Sequence, residues 1–311
     1  MKVINKYMRN PFLLFFLVPF LSGCPNPAAY REPITRFQQA STIVIEGARS
    51  EYGLANSTER NAEIDRFVAT KSRIDLSKLN DPAIRLLDPD GLNARLATLD
   101  TLAKHGQLLL TLASSDAPTR AKDAANLLDD AIIGLSTSLG KTPSDKFKSS
   151  VEGFATIAGE AAKLALNAKI AEALNKAITA SDKSVAEIIA LIKDDLGYLY
   201  ERRRSNLSAA RKYAVDTYNL ELSKQVANMD SLKKAASEIK KAEDAWDTLP
   251  LLLGAGPGLD AMSEAHQKLV QYAKSSKSPQ DLAELVEATD AFVTRAKVIA
   301  DAIKTIQKTK E

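Results

Sequence analysis

Apolar residues recur at steps of three and four along most of the chain, the spacing of one helix face. The longest run opens at Ser181-Asp182. Val185, Ile188, Ile189, Ile192, Leu196 and Leu199 define a seam that Leu207, Ala210 and Ala214 carry on. Leu220 and Leu222 extend it less regularly to about Val226. No proline stands between Pro143 and Pro250, so one helix of about 45 residues, roughly 67 Å long, is allowed. Such a helix needs partners along its whole apolar seam. Asn228-Met229-Asp230 can cap and restart it, giving a further helix through Trp246; unbroken continuation is the alternative.

The remaining elements follow from the same pattern and its interruptions. A first helix is predicted over 34–52, with Phe37, Ile43 and Ala48 among its apolar positions. Gly53 to Ser57 reads as a break, and Ser57-Thr58-Glu59-Arg60 opens a second helix with Ile64, Phe67 and Val68 inward. Asp81-Pro82 is a helix start, since aspartate caps and proline suits the first turn. Asp88-Pro89-Asp90-Gly91 is a second break before a helix over about 92–113. Asp116-Ala117-Pro118 separates that helix from one ending near Leu139-Gly140. Thr142-Pro143-Ser144-Asp145 starts a helix predicted to reach Thr179. Its small residues Ala155, Gly159 and Ala162, widened by Ala158 and Ala161, suggest close helix packing.

Two prolines and three glycines within Thr248–Gly258 form the clearest interruption. Helices over about 259–273 and 280–308 follow, joined by a loop at 275–279. Period-2 alternation of β-branched residues is nearly absent. The expected fold is all-α: an elongated multi-helix bundle with long, partly coiled-coil-like helices.

The first residues follow a different pattern. Lys2, Lys6 and Arg9 precede an apolar run over 11–21, and small residues Ser22 and Gly23 follow. This is the order of a secretory signal, and the run is too short to span a bilayer as a helix. Leu21-Ser22-Gly23-Cys24 resembles the lipobox of bacterial lipoproteins. That resemblance implies lipid transfer to the Cys24 thiol, cleavage before it, and acylation of the new amino group, palmitate included. It divides the chain into a signal peptide at 1–23, a proline-rich tether at 24–33 and a helical bundle domain at 34–311. The partner so implied is a membrane, through lipidated Cys24. Pro25 follows where an aspartate tends to retain Gram-negative lipoproteins at the inner membrane. The expected location is therefore the cell envelope, on the outer membrane facing the periplasm.

Removing the signal changes the charge reading. The whole chain carries a formal +3, and the signal holds three cations and no acid, so the remaining 288 residues are neutral in side-chain charge. Nucleic acid is not expected as a partner, because phosphate binding needs a basic surplus. Cys24 is the sole cysteine, which leaves no thiol for disulfides, thiolate metal sites or cysteine catalysis.

Candidate chemistry is sparse. His105 and His266, the only histidines, stand outside metal or di-iron motifs and read as surface or boundary residues. Asp129-Asp130 and Asp194-Asp195 are adjacent on helices and so diverge. Asp88-Pro-Asp90-Gly91 lacks the third acid and twelfth-position glutamate of a calcium loop. Gly254-Ala-Gly256-Pro-Gly258 lacks the strand, lysine and hydroxyl residue of a phosphate loop. No catalytic residue, metal ligand or cofactor is assigned. One constellation stands out as an interaction patch: Tyr198, Tyr200, Arg202, Arg203, Arg204 and Arg211, since arginine and tyrosine are enriched at interfaces.

The sequence thus predicts a lipid-anchored, non-catalytic helical adaptor, scaffold or structural component with a protein partner in the envelope. A membrane-active protein broadly like the helical pore-forming toxins is one alternative, resting on the long helices and the apolar stretch Leu249–Leu259. An enzyme with an unrecognised site is the other.

Overall fold

A computed structural model describes residues 28–74, 76–79, 81, 85–114, 116–138, 154, 156–161, 163–165, 167, 169–226, 228–249 and 255–308. Among them there is no strand, and the fold is all-α. The helices are α1 (Ala28–Ala69), α2 (Leu76–Leu79), α3 (Pro89–Leu112), α4 (Ala117–Ser138), α5 (Ile170–Ala180), α6 (Asp182–Leu222), α7 (Met229–Asp247), α8 (Ala255–Lys274) and α9 (Pro279–Lys308). Further helical residues lie at 156–161 and 163–165. The predicted signal at 1–23 and Cys24 fall outside the described residues.

The centre of the bundle is α1, which packs against α3, α6, α8 and α9. Tyr30, Ile34, Phe37, Val44, Ile45, Ala48 and Tyr52 are all essentially inaccessible. A helix buried around much of its circumference belongs in a core, and each large side chain so covered contributes about 1.5–3 kcal/mol. Matching contacts give the directions. Tyr52 meets Asp195 and Glu59 meets Arg202, so α1 and α6 run parallel. Arg36 pairs with Asp290, and Gly47 lies against Ile299, so α9 runs parallel to α1 as well. Tyr30 meets Tyr272 and Phe37 meets His266, so α8 is antiparallel to α1. Asn56 exchanges two hydrogen bonds with the Leu87 backbone, of 2.7 and 2.8 Å, and Gln38 lies against Gly106, so α3 is antiparallel to α1.

Several boundaries differ from the sequence reading, each for a local reason. The tether was expected to reach residue 33, yet α1 begins at Ala28 and contains Pro33. Only one turn precedes that proline, so few hydrogen bonds are lost. Tyr30 anchors this turn, packing edge-on to Tyr272 and donating to Asn175 Oδ1 at 2.5 Å. The expected break at 53–57 is absent, and α1 continues to Ala69. Ser57 and Thr58 there donate to the Leu54 carbonyl, bonding back along the helix rather than opening a turn.

The helix predicted to reach Thr179 is instead divided. The Leu164 carbonyl accepts from both Asn167 and Lys169, and α5 starts afresh at Ile170. In that segment Ala158 and Ala161 of the expected small-residue stripe are buried, with Ala165, while Gly159 is exposed; Ala155 and Ala162 lie outside the described residues. Asp88 caps α3 by accepting from the Gly91 N–H at 2.7 Å, with Pro89 in the first turn. The long α6 ends at Leu222 with Ser223 as its C-cap, and Asn228 caps α7, which settles restart over continuation. Asp81 donates its N–H to the Lys78 carbonyl, but Pro82 and the helix it was expected to start lie outside the described residues, as do the predicted end at Leu139-Gly140, the predicted start at Thr142-Pro143-Ser144-Asp145 and residues 250–254.

Glycine-rich 254–258 was expected to hold no helix, yet α8 includes Gly256, Pro257 and Gly258. A Cβ on Gly258 would stand 2.3 Å from Ile299 Cδ1 and 3.1 Å from Val44 Cγ2. That glycine lets α8 approach α1 and α9 closely. The two ends of the apolar stretch, Leu249 and Leu259, are both buried. No described helix is long and apolar enough to cross a membrane.

Candidate functional site

Two polar regions rise above the rest, one inside the bundle body and one where the helices project beyond it. The body centre is built around the two histidines. His105 on α3 and His266 on α8 are each 1% exposed, their ring centroids 5.9 Å apart. The expected surface positions are therefore wrong: both helices turn these residues inward. His105 also meets Phe154 edge-on at 5.2 Å, and His266 lies 6.1 Å from Phe37. Phe37 in turn meets Phe292 at 5.7 Å. Sequence gave little signal for this, since an isolated histidine fits either face of an amphipathic helix.

Burial without a counter-charge keeps both rings neutral. Desolvation pushes His105 down to about 3, helped by His266, and pushes His266 down to about 4. Ser181, at the junction of α5 and α6, donates to the Ile178 carbonyl at 3.0 Å. Its oxygen also lies 3.2 Å from His266 Nε2. With the hydroxyl proton already given away, Nε2 is the donor in that contact. The Ser181–His266 pair therefore does not show the serine-to-histidine hydrogen bond of an activated nucleophile.

Four more buried polar atoms of the body have no hydrogen-bond partner among the described residues: both nitrogens of His105, Gln38 Oε1 and Ser41 Oγ. Gln38 reaches this position because residue 106 is glycine; a Cβ there would stand 1.9 Å from Gln38 Oε1. The cluster offers uncharged donors and acceptors. Among the described residues, no group of three or more His, Cys, Asp or Glu is placed to hold a metal ion.

The body ends at a polar belt. Asp195 on α6 accepts from Arg95 at 2.9 Å and from the Tyr52 hydroxyl at 3.4 Å. Beyond it α1, α6 and α7 continue together as an arm. Here the predicted patch comes into view, and its arginines are engaged within the chain. Arg202 makes two bonds to Glu59, of 2.5 and 3.0 Å, and Asn206 adds a third at 3.0 Å. Arg203 reaches Glu51 at 3.5 Å, and Arg204 reaches Glu201 at 3.3 Å. Arg211 pairs with Glu243 at 2.8 Å while its guanidinium lies 4.5 Å over the Trp246 ring. Tyr198 is 59% exposed and Tyr200 partly so. The patch therefore joins α6 to α1 on one side and to α7 on the other.

No family model, curated protein or solved structure matches this chain. The site must be read from its own geometry.

Between α1 and α6 the arm is open. A cavity of about 450 Å³ lies on one side, lined by Glu59, Glu63, Arg66, Arg202 and Tyr213. A second, of about 370 Å³, lies on the other, lined by Ser57, Asn61, Arg203 and Leu207. Ala62 and Ala210 stand between them, too short to fill the gap. Asp65 borders both cavities, and its carboxyl is raised above the ordinary range by burial and by Glu238 of α7.

Proposed function

We propose that this protein is a lipid-anchored component of the bacterial cell envelope whose helical domain works as a non-catalytic adaptor or scaffold. The observation that carries the reading is a conjunction of two features. Leu21-Ser22-Gly23-Cys24 supplies an anchoring signal, and a long arm of α1, α6 and α7 projects from the far end of the body. Such an arm presents extended surface at a distance from the anchor. The groove between α1 and α6, with exposed Tyr198 beside it, offers aromatic and charged groups to a protein partner. Outer-membrane attachment facing the periplasm and coiled-coil-like pairing along the arm belong to the same proposal.

The test is metabolic labelling with a palmitate analogue, combined with photo-crosslinking from position 198 in the native host. Wild type is expected to carry the acyl label, to fractionate with membranes, and to give a discrete protein adduct. Cys24→Ala is expected to lose the acyl label and the adduct. An unlabelled wild type would overturn the anchor, and a labelled protein without an adduct would overturn the adaptor role of this groove.

A further inference from the structure

We propose that the free pole of the arm docks on the surface of an anionic lipid bilayer. Register places the pole: Ala69 of α1 lies level with Tyr213 of α6 across the groove. The last nine residues of α6 run on past α1, about 13 Å further. Residues 66–79 and the hairpin over 213–241 together form this end of the molecule.

Exposed large apolar side chains collect there. Val68, Ile74 and Leu76 stand on the α1–α2 side. The hairpin adds Leu220 at 64%, Leu222 at 53%, Val226 at 87% and Met229 at 63% exposure. Scattered exposed apolar residues are ordinary, but four within the ten residues 220–229 mark a contact surface.

Charge selects the occupant. Residues 66–79 and 213–241 hold nine Lys and Arg against five Asp and Glu, in a chain that is neutral once residues 1–23 are set aside. Lys71, Arg73, Lys233, Lys234 and Lys240 form no ion pair, among the described residues. Aliphatic side chains interleaved with lysines match the bilayer interface, where the former enter the acyl boundary and the latter meet anionic headgroups. Base stacking would call for exposed aromatics, whereas Phe67 is buried and Tyr213 and Tyr218 are only partly exposed. A second copy of this pole would bring like charges together. Docking is peripheral, since no described helix can cross the bilayer. The inference does not depend on acylation of Cys24. In an anchored protein, the pole lies roughly 75 Å along the helices from Ala28, so an upright arm carries it well away from the anchor.

The test is flotation with vesicles of phosphatidylglycerol and phosphatidylcholine, or of phosphatidylcholine alone, using the unacylated chain from Pro25 onward, which lacks the basic and apolar residues 1–23 and keeps every described residue. The parent should bind only the anionic vesicles and release as salt shortens the screening length. Combining Leu220→Ser, Leu222→Ser, Val226→Ser and Met229→Ser should abolish binding without lowering thermal stability, since these side chains are exposed. Lys233→Gln with Lys234→Gln should weaken binding about tenfold or more. Equal binding to neutral vesicles, or unchanged binding by the four-serine variant, overturns the proposal. Binding to duplex DNA but not to vesicles overturns it in favour of nucleic acid. Concentration-dependent association without vesicle binding, lost in the four-serine variant, overturns it in favour of a second copy.

Discussion

The body and the arm share two helices, α1 and α6, yet each helix is held differently in its two halves. Within the body, α1 buries Ile34, Phe37, Val44, Ile45 and Tyr52; in the arm it buries Glu59 and Phe67. Likewise α6 buries Val185, Ile188, Ile189 and Ile192 in the body, and only Ala214 beyond Leu199. In α7 the one buried residue is Ala235. Hydrophobic burial at about 25 cal/mol per Å² therefore stabilises the body. The arm depends on ion pairs and a cation–π contact, which are each worth about 1 kcal/mol or less when solvent reaches them. One continuous helix can thus be a rigid core element at one end and a loosely held strut at the other.

The largest expected effect comes from acid acting on the body. Both histidines have folded-state values below the unfolded value of about 6.5. The unfolded chain therefore takes up protons first as pH falls, and stability drops. It is full above about pH 6.5 and declines by roughly 3 kcal/mol per pH unit for the pair, down to about pH 4. Urea unfolding at pH 7 and pH 5 measures this. His105→Leu should reduce the pH dependence by about half, because it removes a buried ring with no hydrogen bond. An unchanged slope would mean that the rings are solvated.

Next comes the packing of α8. Gly258→Val should destabilise the body by about 1–3 kcal/mol, since Ile299 and Val44 must move aside. Calorimetry should show a lower transition temperature, with the arm's own behaviour unchanged. Glu59→Ala should cost the arm about 1 kcal/mol, because Arg202 and Asn206 both lose their acceptor. Amide exchange should rise over 202–222 and leave α8 and α9 untouched. Smallest is Arg211→Ala, worth about half a kcal/mol or so. Trp246 is the only tryptophan, so a red-shifted fluorescence emission would report its uncovering directly.

The same contrast explains what the sequence revealed. The seam from Val185 to Leu199 was legible because burial imposes a period of three and four, and all six residues are buried as expected. The seam faded at Leu220 and Leu222 because the arm has no core there to demand it, and both side chains are exposed. Gly258 was read as a helix breaker when it is a packing residue, a distinction that only the approach of Ile299 makes. Asn167 ended a helix without proline or glycine to announce it. The arginines of the patch were visible as a charged run. Their partners at Glu51, Glu59 and Glu243 were not, because ion pairs across helices leave no spacing in the sequence. The histidine pair was hidden for the same reason, lying on two helices that meet only in the fold.

Hydrogen–deuterium exchange resolved along the native chain at neutral pH tests the division most directly. Amides of 59–69, 202–222 and 229–247 should exchange far faster than those of 34–52, 184–199 and 259–273, with the change falling within α1 and within α6. Uniform protection along the whole of α1 and α6 would contradict the account, and would mean that the arm is as firmly held as the core.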